Sequence, residues 1–118
     1  MAETENPVRS VRWIDPEKTV VVIEASGEID LHRSAVFQEA LLEPLNHRPQ
    51  RMIVDMTGVS FMDSSGVASL VKLLSRVRRD KVDLRLAGLA PRVRSVFEIT
   101  RLDTVFDLYP GLQEALDS

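Results

Sequence analysis

Apolar positions change their period along the chain, and each change marks an element. Residues 19–25 hold Val20, Val21, Val22 and Ile23, a β-branched run of the kind found in a strand buried on both faces. Residues 8–14 alternate less cleanly and read as a first strand, with Asp15-Pro16-Glu17-Lys18 as the turn of a hairpin. Gly27-Glu28-Ile29-Asp30 ends the second strand. Over residues 31–45 the spacing becomes helical: Phe37, Ala40, Leu41 and Leu45 share one face, Asp30 is placed as N-cap, and His47-Arg48-Pro49 closes the segment. Residues 51–56 form a third strand that Thr57-Gly58 breaks.

A polar turn, Ser60-Phe61-Met62-Asp63-Ser64-Ser65-Gly66, then leads into the best-patterned helix of the chain, residues 65–79. Its spacing turns Val67, Leu70, Val71, Leu74 and Val77 inward and Ser69, Lys72, Ser75, Arg76 and Arg79 outward. Residues 83–87 alternate as a fourth strand. Gly88 and Pro91 frame a loop before a third helix with Val93, Val96 and Phe97 inside. Residues 104–108 read as a short fifth strand, and a last helix over 110–116 starts at its proline.

Strands linked through helices pair in parallel, with the helices against the sheet. The pattern therefore predicts a single α/β domain over residues 8–116, with residues 1–7 as a flexible N-terminus. Its mostly parallel sheet has about five strands and an antiparallel N-terminal edge, with about four helices packed on it.

At 118 residues and 44% hydrophobic, the chain suits one domain with a real core. It has no cysteine, which excludes disulfides and thiolate metal sites. The first residues are acidic and polar, unlike a signal peptide, and no apolar run is long enough to span a bilayer. A cytoplasmic protein with no membrane span is expected. The formal net charge of −3 argues against a nucleic-acid partner. Arg76, Arg78, Arg79 and Lys81 nevertheless gather at the end of the second helix. They either complement the helix C-terminus or form a phosphate-binding or partner-docking patch.

Ser64 carries the candidate chemistry. The first turn of a helix offers unpaired N–H groups and positive dipole, which suits a phosphorylated hydroxyl. A plain capping role for Ser64 or Ser65 stands beside that reading. Asp30, Asp55 and Asp63 fall near one sheet edge, yet no metal site or cofactor is expected. The chain lacks the Gly-x-Ser-x-Gly elbow and any phosphate-cradling Gly-rich loop. His32 and His47 open and close the first helix and are expected at the surface, so no catalysis is expected. Trp13 is expected to pack rather than act.

Four segments in register carry a resemblance to a known family. They are Gly27-Glu28-Ile29-Asp30; residues 53–56 with Val59-Ser60-Phe61-Met62-Asp63-Ser64-Ser65-Gly66; Leu84-Arg85-Leu86-Ala87-Gly88-Leu89-Ala90-Pro91 with Val93, Val96 and Phe97; and Leu102-Asp103 with Val105-Phe106. Over nearly its whole length the chain resembles the STAS domain, in particular the single-domain anti-sigma factor antagonists of bacteria. The resemblance implies a partner switch. An unphosphorylated member binds an anti-sigma factor serine kinase and frees a sigma factor, phosphorylation by that kinase ends the binding, and a serine phosphatase restores it.

By motif position Ser64 is the acceptor, and Asp30, Asp63, Ser64, Ser65 and Gly66 form the partner-binding surface. A second reading implied by the family is a subunit of a lipid-transport complex or stress-signalling scaffold, docking without a phospho-switch. A vestigial hydrolase or nucleotide-binding domain is a third reading. Two departures from the family pattern stand out: Val67-Ala68 in the first turn of the second helix, and Arg101 where glycine is common. Whether the domain is a monomer or a dimer is left open.

Overall fold

A computed structural model describes residues 5–118. The strands are β1 (Val8–Trp13), β2 (Val20–Ile29), β3 (Arg51–Met62), β4 (Asp83–Ala87) and β5 (Asp107–Tyr109). The helices are α1 (Ser34–Leu42), α2 (Ser64–Asp80), α3 (Pro91–Ile99) and α4 (Leu112–Asp117). The strands lie side by side in chain order, with β1 antiparallel to β2 and every other pair parallel. This is the predicted architecture. Of the expected flexible N-terminus, residues 1–4 lie outside the described residues. Glu5 pairs with Arg9 at 2.7 Å, and the Ser26 N–H donates to the Pro7 carbonyl at 2.9 Å.

The alternation along β2 explains its unbroken apolar run. Val21 and Ile23 join Met52, Val54 and Leu86 in the main core, beneath Phe37 and Leu41 of α1, Leu70 and Leu73 of α2, and Phe97 of α3. Val22 points the other way, with Ile53 and Ala87, onto Ala115 of α4. Arg85 shares that second face. Its guanidinium donates to the carbonyls of Ala115 and Ser118 at 2.7 and 2.6 Å, and it pairs with Asp83 at 3.0 Å. These bonds hold α4 in place, a role that nothing in the alternation of β4 revealed.

Several local readings differ from the structure. The third strand does not end at Thr57-Gly58; it runs on to Met62. Ser26 pairs with Gly58 there, and a Cβ on Gly58 would stand 2.7 Å from the Ser26 Cβ. Glycine thus permits the close approach that lets β2 and β3 continue together, with shifts of register on the way. The expected polar turn over residues 60–66 shrinks to Asp63, and Asp55 lies within the strand rather than at its end.

The first helix begins at Ser34, not Leu31, because Asp30 closes a separate turn before it. Its carboxylate accepts from the N–H groups of His32 and Arg33, and its carbonyl accepts from Arg33 and Ser34. The same helix stops at Leu42 and passes into a 3-10 turn, Glu43–His47, which carries Pro44. In α2 Val67, Leu70 and Val77 are buried as expected, but the buried face also takes in Leu73 and Ser69, whereas Val71 is 41% exposed. Residues 102–104 form a 3-10 turn, since the Val105 and Phe106 N–H groups return to the Leu102 carbonyl, so β5 starts only at Asp107. The last helix starts at Leu112 after Gly111 rather than at Pro110.

Trp13 is half-buried and meets the His47 ring edge-on at 5.5 Å. His32 and His47 are exposed, as expected. Arg101 takes φ 62°, the left-handed conformation that glycine adopts most easily. No helix among the described residues is long and apolar enough to cross a membrane.

Candidate functional site

Parallel neighbours end at the same edge of a sheet, so the turns that follow β2 and β3 meet. Ile29 pairs with Met62 at the last step of the ladder, and the Asp63 N–H donates to the Ile29 carbonyl at 3.1 Å. Asp30 and Asp63 thereby become the caps of two adjacent turns, although 33 positions separate them in the chain.

Asp63 is the N-cap of α2. Its Oδ1 accepts from the Ser65 N–H at 2.9 Å, the Ser65 hydroxyl at 2.5 Å and the Gly66 N–H at 3.3 Å. Capping therefore falls to Asp63, and to neither serine. Ser65 is tied to the cap through its hydroxyl. Ser64 occupies the first helical position, is exposed, and has no side-chain hydrogen bond among the described residues. Asp63 also occupies the N–H groups of Ser65 and Gly66, which sequence reasoning had left free to receive a phosphate.

Several donors hold the Asp63 carboxyl below its ordinary value of 3.8. The Ser65 hydroxyl contributes most, opposed by desolvation and helped by the backbone N–H groups of Gly66, Ser65 and Leu31. A carboxyl depressed in the folded state stabilises the fold above its unfolded value, and that contribution is lost as pH falls through the folded value. Replacing Asp63 with Ala is expected to cost about 1 kcal/mol at neutral pH, the usual worth of an N-cap. The deficit should narrow as pH drops below 3.8, where the unfolded carboxyl protonates, until pH passes the lower folded value. Urea titrations of both proteins across that range check it; a deficit that stays constant in acid would contradict the cap.

Gly66 is buried rather than displayed. A Cβ there would stand 2.8 Å from both the Ile29 Cγ2 and the Met62 Cγ, and 3.0 Å from the Ile29 carbonyl oxygen. Its lack of a side chain seats the start of α2 on the strand ends. Ser69, one turn further and only 2% exposed, ties α2 to α1. Its hydroxyl lies 3.2 Å from the Ser34 carbonyl and 3.2 Å from the Ser65 carbonyl. Sequence reasoning had placed Ser69 on the outer face.

Apolar residues border the serine. Leu31 is 72% exposed in the adjoining turn after β2. Ala68 and Val71 are exposed one and two turns along α2 from Ser64, on the same side of the helix. Leu31 was missed because the helix was expected to include it. The available signal was its position off the register of Phe37 and Leu41. Asp55 stands apart from the caps and accepts from the Thr57 N–H and hydroxyl. At the far end of α2, Arg76 and Arg79 pair with Asp80 at 3.6 and 3.2 Å, which offsets part of the basic cluster.

A mixed α/β sheet that carries two capped turns and an unpaired serine on one rim defines a small domain built to present a surface. A family model for the STAS domain matches residues 14–115. The anti-sigma-B factor antagonist of Bacillus subtilis is 30% identical over 88 residues, covering 75% of this chain and 80% of that protein. The chain belongs to the STAS domain family and, within it, to the anti-sigma factor antagonists.

Solved structures agree in fold. An anti-sigma factor antagonist from Mycobacterium paratuberculosis superposes with TM-score 0.79 at 26% identity, covering 91% of this chain and 90% of its own. The anti-sigma factor antagonist SpoIIAA in its unphosphorylated form gives TM-score 0.77 at 24% identity, covering 92% of each chain. The phosphorylated form of SpoIIAA, a Bacillus cell fate determinant, gives 0.70 at 24% identity, covering 92% of this chain and 96% of its own.

Proposed function

We propose that this domain is a phosphorylation-controlled antagonist of an anti-sigma factor. Its unphosphorylated form binds an anti-sigma factor serine kinase through the rim of Asp30, Leu31, Asp63, Ser64 and Ser65, supported from beneath by Gly66, and so frees a sigma factor. The kinase transfers the γ-phosphoryl group of ATP to the Ser64 oxygen as the hydroxyl proton departs and ADP leaves. The dianion then ends docking, and a serine phosphatase restores the hydroxyl. The domain acts as a kinase substrate and binding module, with no catalysis of its own.

One observation carries this reading: Asp63 caps α2, which leaves the exposed Ser64 hydroxyl with no structural duty. Ser65, bonded to that cap at 2.5 Å, is much less available to a kinase. The names of the relatives support the partner class, and SpoIIAA supports the switch, being known in phosphorylated and unphosphorylated forms. Affinity capture of the tagged domain from its own cells, with phosphosite mapping, tests the proposal. The expected result is an anti-sigma factor kinase in the eluate and phosphate on Ser64. Capture of a transporter ATPase instead, with Ser64 unmodified, would sink it.

A further inference from the structure

A phosphate on Ser64 gains from a counter-charge, because two of the first-turn N–H groups are taken. The Ser65 and Gly66 N–H groups already serve Asp63, whose carboxylate stands beside the new dianion. The nearest turn in space is the one after β2. Ser69 brings it close: its hydroxyl lies 3.2 Å from the carbonyls of both Ser34 and Ser65, which seats the start of α1, just after Arg33, against the first turn of α2 that carries Ser64. The Asp63 N–H, donating to the Ile29 carbonyl at 3.1 Å, ties the same two turns together at the strand ends.

Arg33 is the cation of that turn. Its guanidinium Nη1 donates to the Asp30 Oδ2 at 2.7 Å, with the two side chains 31% and 26% exposed. The pair is not needed to close the turn, since the other oxygen, Oδ1, receives the His32 and Arg33 N–H groups at 3.1 and 3.2 Å. Asp30 can release Arg33 and still cap. A phosphate offers a guanidinium a dianion and three acceptor oxygens, a stronger partner than one carboxylate oxygen.

We infer that Arg33 is the internal counter-ion of the switch, exchanging Asp30 for the Ser64 phosphate when the domain is modified. The inference rests on Ser64 as the acceptor. The exchange lets the domain keep its fold with a dianion at the rim. It also removes the Asp30–Arg33 pair from the docking surface, so that one modification rewrites both turns. The charged and titratable groups on the two turns are Asp63 on the cap of α2 and Asp30, His32 and Arg33 on the adjoining turn.

The test is a phosphorus-31 NMR titration of the full chain carrying genetically encoded phosphoserine at position 64. A free phosphoserine loses its second proton near pH about 6. Pairing with a guanidinium favours the dianion, so Arg33→Gln should raise that midpoint by about one pH unit. Arg33→Lys should restore most of the shift, and Asp30→Asn, which removes the competitor, should move the midpoint down. Identical midpoints in the parent and Arg33→Gln, with both folded by their amide spectra, would overturn the exchange. No kinase or partner enters this measurement. A Ser64 that the cellular kinase ignores would therefore overturn the functional proposal and leave the titration to decide the counter-ion.

Discussion

Ser64→Asp is expected to lower affinity for the proposed anti-sigma factor kinase several hundred-fold, whereas Ser64→Ala is expected to bind like the parent and to resist being switched off. The size follows from where the charge is placed. Beside the polar caps, the rim near Ser64 exposes apolar side chains, with Leu31 72% exposed and Val71 41% exposed. A partner that covers such a surface strips water from whatever stands at its centre. A neutral hydroxyl loses little there, but a carboxylate beside Asp63 is desolvated next to a like charge. The helix N–H groups offset little of this, because Ser65 and Gly66 already donate to Asp63. A loss of about 3–4 kcal/mol corresponds to that factor, since 1.4 kcal/mol is tenfold. Titration calorimetry with the purified kinase measures it. Equal affinity of the parent and Ser64→Asp would refute the electrostatic switch.

Phe37→Ala should lower global stability by about 3–5 kcal/mol, the range for emptying a buried phenylalanine site. Phe37 is fully buried and sits one turn into α1, where its N–H bonds the Arg33 carbonyl. The cavity would open between α1 and the sheet, directly under the turn that holds Asp30 and Arg33. Set against the roughly 5–15 kcal/mol that stabilises a domain of this kind, the loss takes a large share. Urea denaturation should show a lower midpoint with an unchanged slope if the denatured state is unaffected. Ser69→Ala offers a contrast, since it removes a shared hydrogen bond without emptying a core site. A Phe37→Ala protein as stable as its parent would show that α1 is held by something other than its apolar face.

The two predictions depend on features of different legibility. Phe37 and Leu41 recur at helical spacing, so a period alone assigns them to the core. Ser64 was visible as the first candidate, but its freedom was not. Three consecutive polar residues, Asp63, Ser64 and Ser65, are all good caps, and propensity does not choose among them. The choice is made by β3 continuing to Met62, which sets the angle at which the chain enters α2. That continuation was hidden because Thr57-Gly58 has the composition of a turn. Only the partner strand shows why glycine is there: it faces Ser26 at a distance no side chain tolerates. Val71 was placed inside for a related reason. Leu70, Val71, Leu73 and Leu74 leave two faces open to the helix, and the core selects the one bearing Leu70 and Leu73.

Periodicity alone determined the class of fold here: β-branched runs alternating with helical stretches admit little besides a parallel sheet covered by helices. Local chemistry likewise placed a serine at the start of the second helix. Which side chain caps that helix and which stays unengaged were decided by tertiary structure. Those facts depend on two turns 33 residues apart being carried to one rim by neighbouring parallel strands. A pattern along the chain encodes which face a residue turns to the core; it carries no term for the distance between segments that only the sheet brings together.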